Sequence, residues 1–390
     1  SRETVIKLYG DKLRLSPSQA DTFYDCKYKH FLRHSLRLKP GGKEEFGKFE
    51  YGSFIHDVVE NTVKELKKKD TLKICADDEI AEIAGKYADR YGESNLKEQL
   101  ELSHRFSYIF ARAKEQSKRI TTDIISELRV SSFEPIGFEF DIGELARKMP
   151  IDLSEGAKLF LSGKADRIDG WIHEEKLYLR VYDYKTGNVK FSLEEVLYGR
   201  YLQMLIYLFV LSKGGVEVFK SEVEPAGVLY LPARDVIISA KSDLDDEELE
   251  AQKSKALQRS GLLLDNSKVL EAMEKQEPLV FLPISEINGS KKADLKSLAS
   301  ADELKQLSEY IIELLKEFAE TLLRGEIEPE PYFRSQNLNA CTYCDFKEAC
   351  NFKDGEKGSF RRFSAVEGGS LKEKLSLLKA EKAKGGEQNE

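Results

Sequence analysis

The segment running from Gly163 to Gly187, GKADRIDGWIHEEKLYLRVYDYKTG, constrains this chain more than any other. It reads as two neighbouring strands. Asp166 stands near the end of one, and Asp183 and Lys185 stand at the end of the next. Side chains two residues apart share a strand face, so Asp183 and Lys185 point the same way across Tyr184. Hard divalent cations take oxygen ligands, and two carboxylates with an ammonium beside them suit Mg²⁺ or Mn²⁺. Such an ion neutralises phosphodiester oxygens, lowers the pKa of a bound water and steadies the leaving oxygen. Lys185 is placed to orient that water or to meet the developing charge. The chemistry implied is phosphodiester cleavage. A bland alternative, two strands with solvated charged ends, fits an isolated Asp-x-Lys triplet equally well.

Cysteine usage is the second constraint. Cys341, Cys344 and Cys350 form C-x2-C-x5-C in NACTYCDFKEACNF, and Cys26 lies far upstream in SPSQADTFYDCKYKHFLR. Cys75 is left over, in an alanine-rich segment read as helical. Three clustered thiols with one remote thiol suit either Zn²⁺ or a [4Fe–4S] cluster, and spacing does not choose between them. Disulfides are disfavoured in a chain long enough to build a core and without a secretory signal.

Taken together, GKADRID, VYDYKTG and the helical YLQMLIY resemble the RecB-type branch of the PD-(D/E)xK nuclease superfamily. The resemblance implies a restriction-endonuclease-like α/β fold, a mixed central sheet flanked by helices and carrying helical insertions. It implies metal binding by Asp166 and Asp183, catalysis by Lys185, and a QxxxY motif at Gln203 and Tyr207. It also implies a metal-binding histidine on an upstream helix, which FGKFEYGSFIHDVVE supplies as His56, and the Tyr184 carbonyl as a further ligand. A glutamate before the first catalytic strand is matched best by Glu139 and less well by Glu134. Read without the family, His56 is an ordinary surface or core histidine. Gln203 and Tyr207 share a helical face, where Tyr201, Met204, Tyr207 and Leu208 equally form a packing stripe.

The segments around Cys26 and around Cys341, Cys344 and Cys350 resemble AddB-type subunits of helicase–nucleases. That resemblance implies a [4Fe–4S] staple on these four cysteines, which ties the two ends of the domain together. It implies the C-terminal nuclease domain of such a subunit, joined to a helicase-like N-terminal part and working with an AddA-like motor. The substrate implied is a single-stranded DNA end, with degradation of the strand ending 5′ at a double-strand break before recombination. Two rivals remain: a stand-alone Cas4-like exonuclease, and a non-catalytic DNA-binding module that keeps the fold.

Composition sets looser bounds. The 390 residues are 41% hydrophobic and 33% charged, with net charge −8. That balance argues against coating DNA with the whole surface. A local basic patch, Lys27, Lys29, Arg33, Arg37 and Lys39, is interleaved with Tyr24, Tyr28 and Phe31. These aromatics either stack on bases or belong to a core. No phosphate-binding G-x-x-x-x-G-K-[ST] loop occurs, so ATP hydrolysis is not expected of these residues. No apolar run reaches membrane-spanning length, and few cysteines without a signal peptide favour the cytoplasm. The chain starts with Ser, as an excised piece of a longer protein would.

The expected organisation is an N-terminal segment over 1–48, a nuclease core over 49–235 and a variable insertion over 236–298. A C-terminal helix with the three-cysteine loop fills 299–355, and a weakly ordered tail fills 356–390. Within the core the pattern predicts a helix over about 50–67 and a helical insertion over about 71–125. Strands are expected around 136–142, 158–168 and 176–184. A single helix is expected from Ser192 to Gly214, followed by a strand over Ala226–Ala233.

Overall fold

A central sheet of six strands follows the order of the chain: β1 (Glu134–Asp141), β2 (Lys164–His173), β3 (Lys176–Lys185), β4 (Glu222–Pro232), β5 (Ser260–Leu264) and β6 (Leu298–Ala299). This is a computed structural model, which describes residues 5, 8, 9, 12–39, 48–187, 190–234, 245–287, 296–356, 358–363, 371 and 373–377. β2 runs antiparallel to both β1 and β3, β3 and β4 are parallel, β4 and β5 antiparallel, and β5 and β6 parallel. The helices that position the site are α1 (Pro17–Asp25), α2 (Lys48–Lys68), α3 (Asp77–Asn95), α4 (His104–Val130), α5 (Gln203–Gly214) and α6 (Ala301–Arg324). A mixed sheet between helices, with helical insertions, is the α/β architecture expected.

The helices start and stop where local chemistry dictates. Ser16 caps α1, with Pro17 in its first turn. Ser103 caps α4. Ser300 and Glu303 form a capping box on α6, which ends on Gly325 in the left-handed conformation. α5 makes the parallel crossover from β3 to β4. Its residues Met204 to Leu211 are all buried, so it packs inside the protein rather than on it.

Several sequence expectations are corrected. The strand read over 158–168 is two strands: Lys158–Leu161 pairs with Leu13–Leu15 and Ile151–Asp152 in a separate small sheet, and β2 begins only at Lys164. The helix read from Ser192 to Gly214 breaks into Leu193–Leu197 and α5. Gly199 causes the break: its φ is +84°, and a Cβ there would lie 2.2 Å from the Tyr24 ring. Cys75 lies in the turn before α3, not in a helix. The helical expectation for 71–125 holds for α3, Lys97–Leu102 and α4. The stretch read as a variable insertion over 236–298 supplies β5 and the start of β6 to the central sheet; its residues 236–244 and 288–295 lie outside the described ones. In the tail, Arg361–Arg362 pairs with β-structure at Tyr332–Phe333, and most residues after 363 lie outside the described ones. Among the described residues, no helix is long and apolar enough to cross a membrane.

Candidate active site

The site is built where β2 enters and β3 leaves the sheet. Arg167 pairs with Tyr182 and Asp169 with Arg180, a register that brings Asp166 level with the end of β3. There the Tyr184 N–H donates to Asp166 Oδ2 at 3.1 Å. Lys185 Nζ lies 2.7 Å from Asp183 Oδ2 and 5.3 Å from the centre of the Tyr230 ring. α2 brings His56 over these groups. Its Nε2 lies 3.4 Å from Asp166 Oδ2 and its Nδ1 3.3 Å from Glu139 Oε1. The Tyr184 ring meets the imidazole edge-on, 5.1 Å between centroids.

Glu139 reaches the site by an unusual backbone. It lies in β1 between Phe138, opposite Arg167, and Phe140, opposite Ala165, yet its φ is +44°. A non-glycine residue held in that region marks a place where the surroundings impose strain. Ligand atoms of His56, Glu139 and Asp166 lie within 4.8 Å of one another. Among the described residues, no other group of three histidine, cysteine or carboxylate ligands is that tight. Glu134, the weaker sequence match, is exposed and sits opposite Gly170, away from the site.

The electrostatics fit a cation. Burial pushes the Asp166 carboxyl up to about 7, and the neighbouring Asp183 charge adds to the rise, against the pull of His56 and the Tyr184 N–H. Burial lowers His56, but the Glu139 hydrogen bond and the Asp166, Glu139 and Asp183 charges outweigh it and raise the imidazole overall. The hydrogen bond from His56 in turn lowers Glu139. A group of mutually repelling carboxylates beside one imidazole is a donor set for a divalent ion.

Around this centre, Gly52, Ser53, Asp57, Glu60 and Tyr91 line a cleft of about 520 Å³ with His56, Glu139 and Asp166. The sequence does not single out Asp57, Glu60 or Tyr91, because nothing in their spacing separates them from an exposed helix face. Gln203 donates to the Tyr207 hydroxyl at 3.5 Å, at the long limit of a hydrogen bond. The Tyr207 ring lies so close to Gly163 that a Cβ there would fall 2.7 Å from the phenol oxygen. The QxxxY pair thus abuts the start of β2.

Behind β2 and β3 lies a buried charge network. Arg167 Nε is 2.9 Å from Asp169, and Arg180 Nη2 is 3.1 Å from the same carboxylate. Tyr182 donates to Glu127 of α4, and Arg259 spans Glu127 at 2.9 Å and Asp123 at 2.7 Å. The Arg167 guanidinium stacks on Tyr182, 3.8 Å from its centroid. Burial raises Glu127, but Arg259, Arg180, Arg167 and the Tyr182 hydroxyl pull it down to about 2. These groups lock β2, β3 and α4 in register and so fix the spacing of Asp166 and Asp183. The alternation of charged Arg167, Asp169 and Arg180 with apolar residues is the only sequence signal for them.

Cys26, Cys341, Cys344 and Cys350 all line one cavity of about 520 Å³. Their sulfurs do not form a group of three within 4.8 Å. Burial, together with Cys26, Cys344 and Cys350, raises the Cys341 thiol to about 11. The nearby basic patch is largely engaged: Lys27 pairs with Glu330, Lys29 with Asp25 and Arg33 with Asp345. Tyr24 is core, its hydroxyl donating to the Leu314 carbonyl at 2.7 Å, whereas Tyr28 and Phe31 are half-buried and pack on each other.

Comparison with known proteins agrees with this fold. A model of the PD-(D/E)XK nuclease superfamily matches residues 14–351, and the chain belongs to that superfamily. Among its relatives is the B subunit of the ATP-dependent helicase/deoxyribonuclease of Clostridium novyi (strain NT). The two are 32% identical over 364 residues, covering 91% of this chain and 32% of the relative. The protein of the same name from Clostridium perfringens (strain SM101) is 30% identical over 366 residues, 90% of this chain and 31% of the relative. That of Clostridium acetobutylicum is 28% identical over 393 residues, 100% of this chain and 34% of the relative. The chain therefore spans between 31% and 34% of the length of these relatives, and it is homologous to that part of them.

Proposed function

We propose that this chain is a divalent-metal-dependent DNA nuclease, acting as the nuclease domain of an AddB-type helicase–nuclease subunit. The observation that carries the reading is the meeting of His56, Glu139 and Asp166 from three separate elements, beside Asp183 and Lys185. In this reading His56, Asp166, Asp183 and Glu139, with the Tyr184 carbonyl, hold Mg²⁺ or Mn²⁺. The bound ion supplies charge neutralisation and an acidified water for phosphodiester hydrolysis. Lys185 holds its ammonium at the end of β3, where it orients the attacking water. Gln203 and Tyr207 brace the start of β2 from α5. The Tyr184 N–H fixes the Asp166 carboxylate so that its lone pairs stay directed into the cleft.

The names of the relatives join a helicase to a deoxyribonuclease. They support DNA as substrate, a motor of the AddA type as partner and a helicase-like part in the remaining length of the subunit. The family resemblance favours the strand that ends 5′ at a break. Cleavage of end-labelled single-stranded DNA with Mg²⁺ tests the reading. The expected result is cutting by the wild-type chain and its loss in D183A, with the labelled end giving the polarity. Retained cutting in D183A sinks the site assignment. Processive cutting by the chain alone would favour a free-standing exonuclease, and DNA binding without cutting even with a motor subunit would favour a binding module.

A [4Fe–4S] cluster on Cys26, Cys341, Cys344 and Cys350 belongs to the same proposal, supported by the single cavity that the four thiols line. The cluster would join residues on either side of the core. Anaerobic purification with iron and sulfide analysis tests it. Stoichiometric zinc without sulfide, or iron retained in Cys344→Ser, overturns it.

A further inference from the structure

The entry into α5 is held from outside the helix. Leu202, its N-cap, has no side-chain acceptor for the first turn. The residue before it, Tyr201, has φ +57°, a conformation a bulky side chain does not take unless its surroundings enforce it. Two carboxylates of α1 supply that enforcement. Asp25 Oδ1 accepts from Arg200 Nε at 3.0 Å, and Asp21 Oδ1 accepts from the Leu202 N–H at 2.9 Å. Arg200 is held on its other side by Glu195, at 2.7 Å. Asp21 and Leu202 are 181 residues apart in sequence, so this is a tertiary clamp rather than a local cap.

Beyond the clamp lies the catalytic side of the site. Gln203 is the first residue of α5, and Tyr207, one turn on, abuts Gly163. Tyr201 meets Tyr230 edge-on at 6.4 Å, and Lys185 lies over the same Tyr230 ring. Asp21 is also near enough to Lys185 and Arg200 for their charges to oppose the rise that burial gives its carboxyl. A shift of the α5 entry would therefore move Gln203, Tyr207 and the support beneath Lys185 together.

We propose that Asp21 is a positioning residue of the active site: by accepting the Leu202 N–H it fixes the first turn of α5, and through it Gln203, Tyr207 and Lys185. This rests on the nuclease reading. Asp21 touches no reacting atom, and its effect runs through backbone placement. A small misplacement of reacting groups lowers the rate of the chemical step far more than it lowers substrate binding.

The test compares wild type, D21A, D21N and D183A as the full chain. Asn keeps an oxygen acceptor for Leu202 and Ala removes it, so D21N should restore what D21A loses. Amide hydrogen exchange gives the first readout: the Leu202 amide should exchange about tenfold faster in D21A, the loss of one hydrogen bond, and near the wild-type rate in D21N. Single-turnover cleavage of single-stranded DNA gives the second: D21A should fall about 10- to 100-fold in rate, with half-saturating DNA changed less than about twofold. Unchanged Leu202 exchange in D21A overturns the proposal. So does a wild-type cleavage rate in D21A beside an inactive D183A, or a D21N as impaired as D21A. If wild type does not cleave even with a motor subunit present, the nuclease reading fails, and the exchange data alone decide the role of Asp21. Should D21A not fold, Asp21→Leu, which fills the space without an acceptor, takes its place.

Discussion

The Tyr184 N–H donates to Asp166 Oδ2 at 3.1 Å, so β3 holds a carboxylate of β2 by its own backbone. Asp183, the residue before Tyr184, stands beside the same carboxylate and raises its affinity for protons. The two strands thus keep two like charges together, an arrangement that becomes favourable once a cation sits between them.

The first prediction concerns pH and stability. The folded chain holds the Asp166 proton up to about pH 7, whereas an unfolded Asp releases it near about 3.9. A carboxyl raised on folding contributes stability below the unfolded pKa and loses it as pH rises through the folded one. His56, also raised, acts in the same direction. Metal-free protein should therefore melt at progressively lower temperature between pH 5 and 8, as judged by what these groups contribute. Added Mn²⁺ should stabilise more at pH 8 than at pH 5.5, and D183N should flatten the metal-free slope. Melting curves with chelator and with Mn²⁺ at several pH values check this; a Mn²⁺ effect independent of pH would refute it.

A second prediction separates Glu139 from Glu134. Glu139 accepts from His56 and lies in the tight ligand group, whereas Glu134 is exposed opposite Gly170. Glu139→Gln should weaken Mn²⁺ binding by at least the roughly 10–100-fold seen when a group that only orients a metal ligand is lost. Glu134→Gln should leave it unchanged. Calorimetric titration of both variants would measure the difference.

These residues show what the sequence can and cannot convey. Asp183 and Lys185 are legible because strand periodicity puts them on one face. Asp166 is legible as a neighbouring-strand carboxylate, although it stands at the start of β2 and not near the end of a strand over 158–168. His56, Glu139, Gln203 and Tyr207 are legible only through family motifs, since their meeting depends on tertiary packing. Asp21 is not legible at all: its partner is a backbone N–H far along the chain, which leaves no side-chain signature. The break before α5 is hidden for a similar reason. Gly199 sits inside an otherwise continuous helical pattern, and the Tyr24 ring pressed against it is a tertiary contact that local spacing does not show. The division of the strand over 158–168 is hidden because apolar alternation continues through Leu161 while the pairing partner changes.

A third prediction tests the network behind the strands. Glu127 is fully buried and faces Arg259, Arg180 and the Tyr182 hydroxyl. Removing its charge leaves two buried guanidinium groups undercompensated. Glu127→Ala should destabilise the fold by about 3–5 kcal/mol, as when one member of a buried ion pair is lost. Glu65→Ala is the contrast: Glu65 pairs with Lys69 and Lys86, both more than half exposed, and its loss should change stability by about 0–1 kcal/mol. Chemical denaturation of the two variants would rank them, and equal effects would show that the network adds nothing beyond surface pairs.

The last prediction concerns Gly163 and Tyr207. A Cβ at Gly163 would fall 2.7 Å from the Tyr207 hydroxyl oxygen and 2.9 Å from its ring carbon. Both groups are constrained: Gly163 leads directly into β2, and Tyr207 sits in the buried α5. Gly163→Ala should therefore force β2 and α5 apart at the end that carries Asp166, destabilising the fold by about 1–3 kcal/mol, as overpacking does. Cleavage should fall further than the stability loss accounts for, because the displaced strand carries Asp166. Tyr207→Ala on its own removes the ring and the contact with Gln203. Combined with Gly163→Ala, it also removes the clash, so the double variant should be more stable than the sum of the single effects allows. A double-mutant cycle by denaturation measures that coupling, expected at about 0.5–3 kcal/mol for residues in direct contact. Additive effects would mean that Tyr207 does not press on Gly163, and the role of the QxxxY pair as a brace for β2 would fall with it.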